Sequence, residues 1–96
     1  MKVLVLYDVK TETREGRRRL RKVAKACEGF GQRVQKSVFE CSLQPVRYEQ
    51  LRGNLLDIID RKEDDLRLYR LADNAFEAVE HFGINETVDF ERPLIV

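Results

Sequence analysis

The chain has 96 residues, 43% apolar and 36% charged, with a formal net charge of +1; this composition is typical of a globular domain and excludes a disordered chain. The sequence contains neither the roughly 18 consecutive apolar residues of a membrane span nor a signal-peptide cleavage region, and its two cysteines and single histidine suggest neither a zinc site nor a disulfide framework. We therefore expect one cytoplasmic domain, residues 1–96, with no membrane partner.

The first predicted element is a buried strand that ends at an aspartate. Residues 2–9 are rich in Val and Leu, first alternating with one another and then forming a continuous apolar run, which is typical of a short buried strand. The strand ends at Tyr7, Asp8 and Val9, and a regular pleat places Tyr7 and Asp8 on opposite faces. A carboxylate at this position suits Mg²⁺, which takes oxygen ligands, but an aspartate also commonly ends a strand and begins a turn. The residues alone leave both interpretations open.

The second predicted element is an amphipathic helix from about residue 12 to Gly29, and its solvent face is strongly basic. Residues 10–25 contain eight basic and two acidic side chains, a local net charge of +6, so the rest of the chain sums to −5. Bases in the first half of a helix oppose its macrodipole, at up to about 1 kcal/mol each. Helix stability therefore does not explain them. The pattern predicts a surface that binds nucleic-acid phosphates, with these candidate residues: Arg14, Arg17, Arg18 and Arg19.

The remaining predicted elements are the strand region 33–43, a second helix and a final strand. Residues 33–43 predict a strand pair or one bent strand, with a break near Lys36 and Ser37. Pro45 suits the first turn of a second amphipathic helix, which should end at Asp60 and Arg61. Residues 65–71 alternate with period two, as in a half-exposed strand. The order β-α-β-β-α-β predicts an α+β, ferredoxin-like fold with both helices on one face of an antiparallel sheet.

The C-terminal segment, residues 72–96, is too apolar for a linker and too short for another domain. A four-stranded sheet has open edges and one bare face, and an added C-terminal strand segment would cover them. We therefore predict a homodimer in which the tails extend the sheet at the dimer interface, with tail strands crossing between protomers.

In combination, five sequence segments resemble one known family. These are YDV at the end of the first strand, RRLRKVAKAC in the first helix, GQRVQKSVFEC, DLRLYRL with the later VEHFG, and the terminal ERPLIV. Together they resemble the second CRISPR-associated protein family, the small ferredoxin-like partner of the CRISPR spacer integrase. The resemblance covers nearly the whole chain, although the long tail departs from shorter members.

The resemblance implies a homodimer with the two copies of Asp8 close to the two-fold axis. It also implies metal-dependent endonuclease activity on RNA or double-stranded DNA, and a role beside the integrase in capturing new spacers. Asp8 matches the metal-binding and catalytic position, while Arg33, Ser37 and Phe39 match the family's R-x-x-x-S-x-F run. By this resemblance Arg33 and Ser37 are expected at the nucleic acid and Phe39 is expected to be structural near the site.

One carboxylate per chain is too few for a protein-only Mg²⁺ cage, but two brought together by symmetry would hold one Mg²⁺ or Mn²⁺ ion. Such an ion polarises a phosphate and lowers the pKa of a bound water. No second acidic residue precedes residue 12, which leaves the general base unassigned.

Three hypotheses stay open. The first is the metal-dependent endonuclease centred on Asp8. The second is a non-catalytic scaffold for the integrase and duplex DNA, with Asp8 vestigial. The third is an unrelated ferredoxin-like module, either an RNA-recognition fold or a regulatory ligand domain. RVQKSVFEC has neither the glycines nor the aromatics of an RNA-recognition strand, and a regulatory domain would leave the arginines unexplained.

Overall fold

The computed structural model describes residues 1–84, and they form the predicted ferredoxin-like α+β fold. The elements are β1 (Lys2–Asp8), α1 (Arg14–Glu28), β2 (Gly31–Gln35), β3 (Val38–Ser42), α2 (Pro45–Ile58) and β4 (Asp65–Leu71), followed by a 3₁₀ turn (Ala75–Ala78). The four strands form one sheet in the order β2-β3-β1-β4, and each neighbouring pair is antiparallel. The segment 33–43 is therefore a strand pair, with its break at the predicted position.

The hydrophobic core lies between one face of the sheet and the two helices. Alternation along β1 buries every second residue: Val3, Val5 and Tyr7. The partners of these residues in the core come from β3, α1 and α2, and the most completely buried of them are Phe39, Cys41, Val23, Cys27, Leu51 and Leu55. Both cysteines are free and buried, as expected for small reduced core residues.

Helix α1 begins at Arg14, about two residues later than predicted, because Thr13 caps it. The Thr13 hydroxyl accepts a 3.0 Å hydrogen bond from the backbone N–H of Gly16, which satisfies one of the free donors of the first turn. A Cβ at Gly16 would collide with the carbonyl oxygen of Lys10. The loop from β1 therefore lies directly against the start of α1.

Helix α2 ends at Ile58, before the predicted Asp60 and Arg61, because the next residues form a hydrogen-bonded loop. The backbone N–H of Asp60 donates to the Asp64 carboxylate at 2.9 Å, and the backbone N–H of Asp64 donates to the Asp60 carbonyl at 2.7 Å. These bonds replace the helical pattern and direct the chain into β4.

The opposite face of the sheet is not covered by α1 or α2. It carries Leu4 and Leu6 from β1, Val38 from β3 and Tyr69 from β4, which face one another across the strands. We call this the open face. Within residues 1–84, no helix has the length and apolar character needed to cross a bilayer.

The predicted tail strand concerns residues 72–96. Residues 72–84 contain the 3₁₀ turn and no strand, and residues 85–96 lie outside the described part of the chain. The crossing of tail strands between protomers stays a prediction.

Candidate active site

Asp8 lies at the end of β1 on the open face. The preceding residue, Tyr7, is buried on the core side, where its ring stacks with Phe39 at a centroid distance of 6.3 Å. Because successive strand residues point to opposite faces, Asp8 is exposed on the open face. This confirms the prediction that Tyr7 and Asp8 point apart. Burial raises the pKa of Tyr7, so its phenol stays protonated at neutral pH.

A second carboxylate lies directly across from Asp8. Asp65, the first residue of β4, pairs with Asp8 in the antiparallel register, and facing residues share one face with Cβ atoms about 4.5 to 5.5 Å apart. Asp65 was not among the predicted site residues, because it lies far from Asp8 along the chain. The predicted fold held the signal, because in the ferredoxin-like arrangement the last strand lies beside the first.

Asp8 and Asp65 line a shallow depression of about 290 Å³ on the open face, with Leu6, Arg67 and Tyr69. Arg67 Nε lies 3.7 Å from Asp65 Oδ2. Arg67 Nη1 donates a 3.1 Å hydrogen bond to the Tyr69 hydroxyl. The depression therefore combines two carboxylates with one guanidinium and one phenol.

The donor set fits a hard divalent cation. Mg²⁺ in proteins is usually held by one or two carboxylates, with waters and substrate phosphate completing its octahedron. Asp8 and Asp65 supply two carboxylates from one protomer. Among residues 1–84 there is no cluster of three or more metal-ligating side chains, so a closed protein-only cage is absent from this part of the chain.

Asp64 anchors the segments that flank Asp8. Its side chain is fully buried and accepts hydrogen bonds from Arg19 Nε at 2.8 Å and Nη2 at 3.3 Å. It also accepts from the backbone N–H of Asp60 at 2.9 Å and of Lys10 at 3.3 Å. Burial alone would raise the pKa of Asp64, but the hydrogen bonds from Arg19 and the two backbone groups outweigh burial and hold the pKa below its usual value. One carboxylate thus joins the β1–α1 loop, helix α1 and the start of β4.

The predicted nucleic-acid contacts on α1 divide into two groups. Arg14, Arg17 and Arg18 are exposed, and Arg14 and Arg18 line a second depression of about 300 Å³ with Glu15 and Arg21. Arg19 instead is held by Asp64 with only 18% of its side chain exposed. The exposed arginines are available to phosphates, whereas Arg19 is engaged inside the fold.

The residues of the R-x-x-x-S-x-F run lie behind β1. Phe39 is fully buried, and the Arg33 guanidinium lies over its ring at 5.1 Å from the centroid. Arg33 Nη2 is also 3.8 Å from Glu28 Oε1. Ser37 lies in the β2–β3 turn, where its carbonyl accepts the backbone N–H of Tyr7 at 3.2 Å. This cluster supports the end of β1 from the core side, and it does not line the depression that contains Asp8.

Fold and site together define the class: a small ferredoxin-like α+β protein with paired strand-end carboxylates on its open face and a cationic first helix. Residues 1–79 match the family model described as CRISPR associated protein Cas2. The chain is 53% identical over 96 residues, 100% of both chains, to the "CRISPR-associated endoribonuclease Cas2 1" of Moorella thermoacetica. It is 50% identical over 95 residues, 99% of each chain, to the "CRISPR-associated endonuclease Cas2" of Halalkalibacterium halodurans.

A solved structure agrees with these matches. The crystal structure of Streptococcus pyogenes Cas2 superposes with a TM-score of 0.78 at 53% identity, covering 86% of this chain and 100% of that one. The protein belongs to the Cas2 family of CRISPR-associated proteins. The family resemblance inferred from the sequence segments is thereby confirmed.

Proposed function

We propose that this protein is a metal-dependent endonuclease of CRISPR adaptation that hydrolyses phosphodiester bonds at Asp8. The observation that carries the proposal is the pairing of Asp8 with Asp65 on the open face. Exposed arginines on α1, which packs against the other face of the sheet, support it. Relatives that are about half identical over their full length are named endoribonuclease and endonuclease, which supports a nucleic-acid substrate, either RNA or double-stranded DNA.

Asp8 and Asp65 are the residues that would hold Mg²⁺ or Mn²⁺ at this site. When bound, such an ion polarises the scissile phosphate and acidifies a coordinated water. The chain's own residues attract the substrate and orient the attacking water. The exposed arginines of α1 attract the polyanion, and the carboxylates orient the attacking water by accepting its hydrogen bond. The water oxygen bonds to phosphorus, one ester P–O bond breaks, and the proton lost by water passes through solvent to the leaving oxygen.

A homodimer is part of this proposal. The open face carries apolar side chains that the described residues leave partly accessible, including Leu4, Leu6 and Val38. Val79, Phe82 and Ile84 are exposed at the end of the described chain. A second copy would cover such surfaces and bring its own Asp8 site nearby.

The second candidate function is a non-catalytic scaffold that holds duplex DNA beside the CRISPR spacer integrase. The exposed arginines of α1 favour it, since phosphate binding through them needs no hydrolysis. In this case Asp8 is vestigial. The two functions are compatible, and one substitution separates them.

The test is the substitution Asp8→Asn, with Asp57→Asn as its matched control because Asp57 is an exposed carboxylate on α2. Cleavage of single-stranded RNA and of duplex DNA is measured in Mg²⁺ and in a chelator. We expect Asp8→Asn and the chelator to slow cleavage by more than about 100-fold, since even residues that only support metal ligands contribute about 10 to 100-fold. Wild-type cleavage by Asp8→Asn would overturn the nuclease assignment; intact spacer acquisition by the same variant would support the scaffold.

A further inference from the structure

Arg67 lies on the same face and strand as Asp65 and beside the proposed active site. Its partner on β1 is Leu6, two register pairs from the Asp8 and Asp65 pair and therefore the next pair on the same face. The Arg67 side chain is 63% exposed, and it lines the same depression as both carboxylates. In the single chain its guanidinium is therefore accessible from the same side as Asp8.

Two contacts orient the Arg67 guanidinium. Nε lies 3.7 Å from Asp65 Oδ2, and Nη1 donates to the Tyr69 hydroxyl at 3.1 Å. A guanidinium has five N–H donors in a planar fork that matches the oxygens of a phosphate. Within residues 1–84 these two contacts engage one Nε and one Nη, and the fork keeps further donors for an anion.

Protein stability is a weak reason for this arrangement. An ion pair this exposed contributes little to stability, and edge strands commonly carry charged residues simply to prevent edge-to-edge association. Arg70 provides a comparison, because it lies on the same strand, is exposed and faces the core side of the register, opposite Val3. Arg70 would prevent edge-to-edge association equally well, yet it lies on the other face of the sheet from the two carboxylates.

We propose that Arg67 binds a nonbridging oxygen of the scissile phosphate at the Asp8 site, and that Tyr69 is a positioning residue for Arg67. This inference rests on the proposed nuclease function. Phosphodiester hydrolysis builds up negative charge on the nonbridging oxygens, and a guanidinium oriented toward them stabilises that charge in the transition state. The two carboxylates then face the cation and the attacking water, and Arg67 faces the phosphate of the substrate.

The first experiment separates binding from chemistry. Single-turnover cleavage rates and the Kd for nucleic acid are measured in Mg²⁺ for the wild type, Arg67→Gln and the matched control Arg70→Gln. We expect Arg67→Gln to lower the rate constant by about 10² to 10³, the range for loss of one charge-stabilising donor, with Kd changed much less. Arg70→Gln should cleave at the wild-type rate. Equal rates for Arg67→Gln and the wild type, or equal losses in both variants, would overturn the inference.

The second experiment tests contact directly, with substrates carrying sulfur at one or the other nonbridging oxygen of the scissile phosphate. Sulfur is a weaker acceptor, so one of the two diastereomers should react slowly with the wild type, and this difference should shrink in Arg67→Gln. A sulfur effect of the same size in both proteins would contradict the contact. Tyr69→Phe keeps the ring and removes the hydroxyl that holds Nη1; it should lower the rate and reduce the same sulfur effect, with unchanged thermal unfolding.

The outcome also distinguishes this inference from the function on which it rests. If Asp8→Asn is inactive while Arg67→Gln cleaves normally, the nuclease assignment holds and the Arg67 contact fails. If Asp8→Asn cleaves normally, the nuclease assignment itself fails. Should Arg67→Gln not fold, Arg67→Lys keeps the charge and loses the planar fork, and the sulfur effect at the contacted oxygen should still decrease.

Discussion

Arg19 Nε donates a 2.8 Å hydrogen bond to Asp64, a carboxylate that is fully buried. The pair connects the middle of α1 to the residue immediately before Asp65, and the same carboxylate binds the backbone of Lys10 just after β1. Both ends of the candidate active site are thus fixed by one buried group.

Removal of the Asp64 charge should destabilise the fold. In Asp64→Asn, Arg19 loses its charged acceptor and the backbone N–H groups of Lys10 and Asp60 keep only a neutral one. We expect a loss of about 2 to 4 kcal/mol in the free energy of unfolding, since breaking a buried, hydrogen-bonded charge pair costs about 3 to 5 kcal/mol and a charged hydrogen bond about 1.5 to 3. Urea denaturation measures it, with Asp57→Asn as the exposed control. A loss below about 0.5 kcal/mol, typical of surface substitutions, would contradict the anchoring role.

The same carboxylate should contribute to acid sensitivity. The pKa of Asp64 is lower in the folded protein than in the unfolded chain, so its stabilisation is complete above the unfolded carboxyl pKa of about 3.9. The stabilisation is lost as pH falls through the lower folded pKa. Between pH 7 and pH 3 the free energy of unfolding should therefore fall more in the wild type than in Asp64→Asn. Parallel pH curves for the two proteins would refute this.

Mg²⁺ should stabilise the protein through Asp8 and Asp65. In the absence of metal, like charges facing each other across two strands destabilise the sheet by a few tenths to about 1 kcal/mol, so Asp65→Asn should slightly raise the thermal midpoint. Saturating Mg²⁺ should raise the midpoint of the wild type by mass action and leave those of Asp8→Asn and Asp65→Asn almost unchanged. Asp73→Asn, an exposed carboxylate beyond β4, should respond like the wild type. A full Mg²⁺ shift in Asp65→Asn would exclude Asp65 as a ligand.

The exposed arginines of α1 should dominate the salt dependence of nucleic-acid binding. If each protomer neutralises about three phosphates, log K should fall against log salt with a slope near −3 per protomer on duplex DNA. Arg14, Arg18 and Arg21 changed together to Gln should make that slope clearly shallower, and Arg17, which stays exposed, should retain part of it. The control changes three exposed arginines elsewhere, namely Arg52, Arg61 and Arg70. A slope that falls equally in both triple variants would indicate only a general charge effect.

The two cysteines should be unreactive in the folded protein. Burial raises the pKa of the Cys27 thiol to about 12, and the neighbouring Cys41 adds to the shift. Burial likewise raises the pKa of Cys41 to about 11. Because the thiolate is the reactive species, a thiol reagent at pH 8 should modify neither residue in native buffer and both in denaturant. The modification is detected by mass spectrometry. Rapid modification of either cysteine in native buffer would contradict its place in the core.

The sequence alone determined the elements of the fold, because they depend on local periodicity. The buried run of β1, the helical spacing that includes Val23 and Cys27, and the alternation of residues 65–71 each specify one element and its buried face. With the order of these elements known, the ferredoxin-like sheet follows from topology. The place of Asp8 at a strand end and the basic surface of α1 were also predictable from the sequence, whereas the metal-binding role of Asp8 was predicted only through the family resemblance.

The tertiary structure alone decided which side chains meet. Asp65 faces Asp8 only because β4 pairs with β1 in one register, and a shift of one residue would turn Asp65 to the other face of the sheet. Arg19 has the same sequence character as Arg18, yet the approach of Asp64 engages one and leaves the other exposed. Contacts between residues far apart in the chain depend on strand register and loop geometry. Local periodicity carries no information about either.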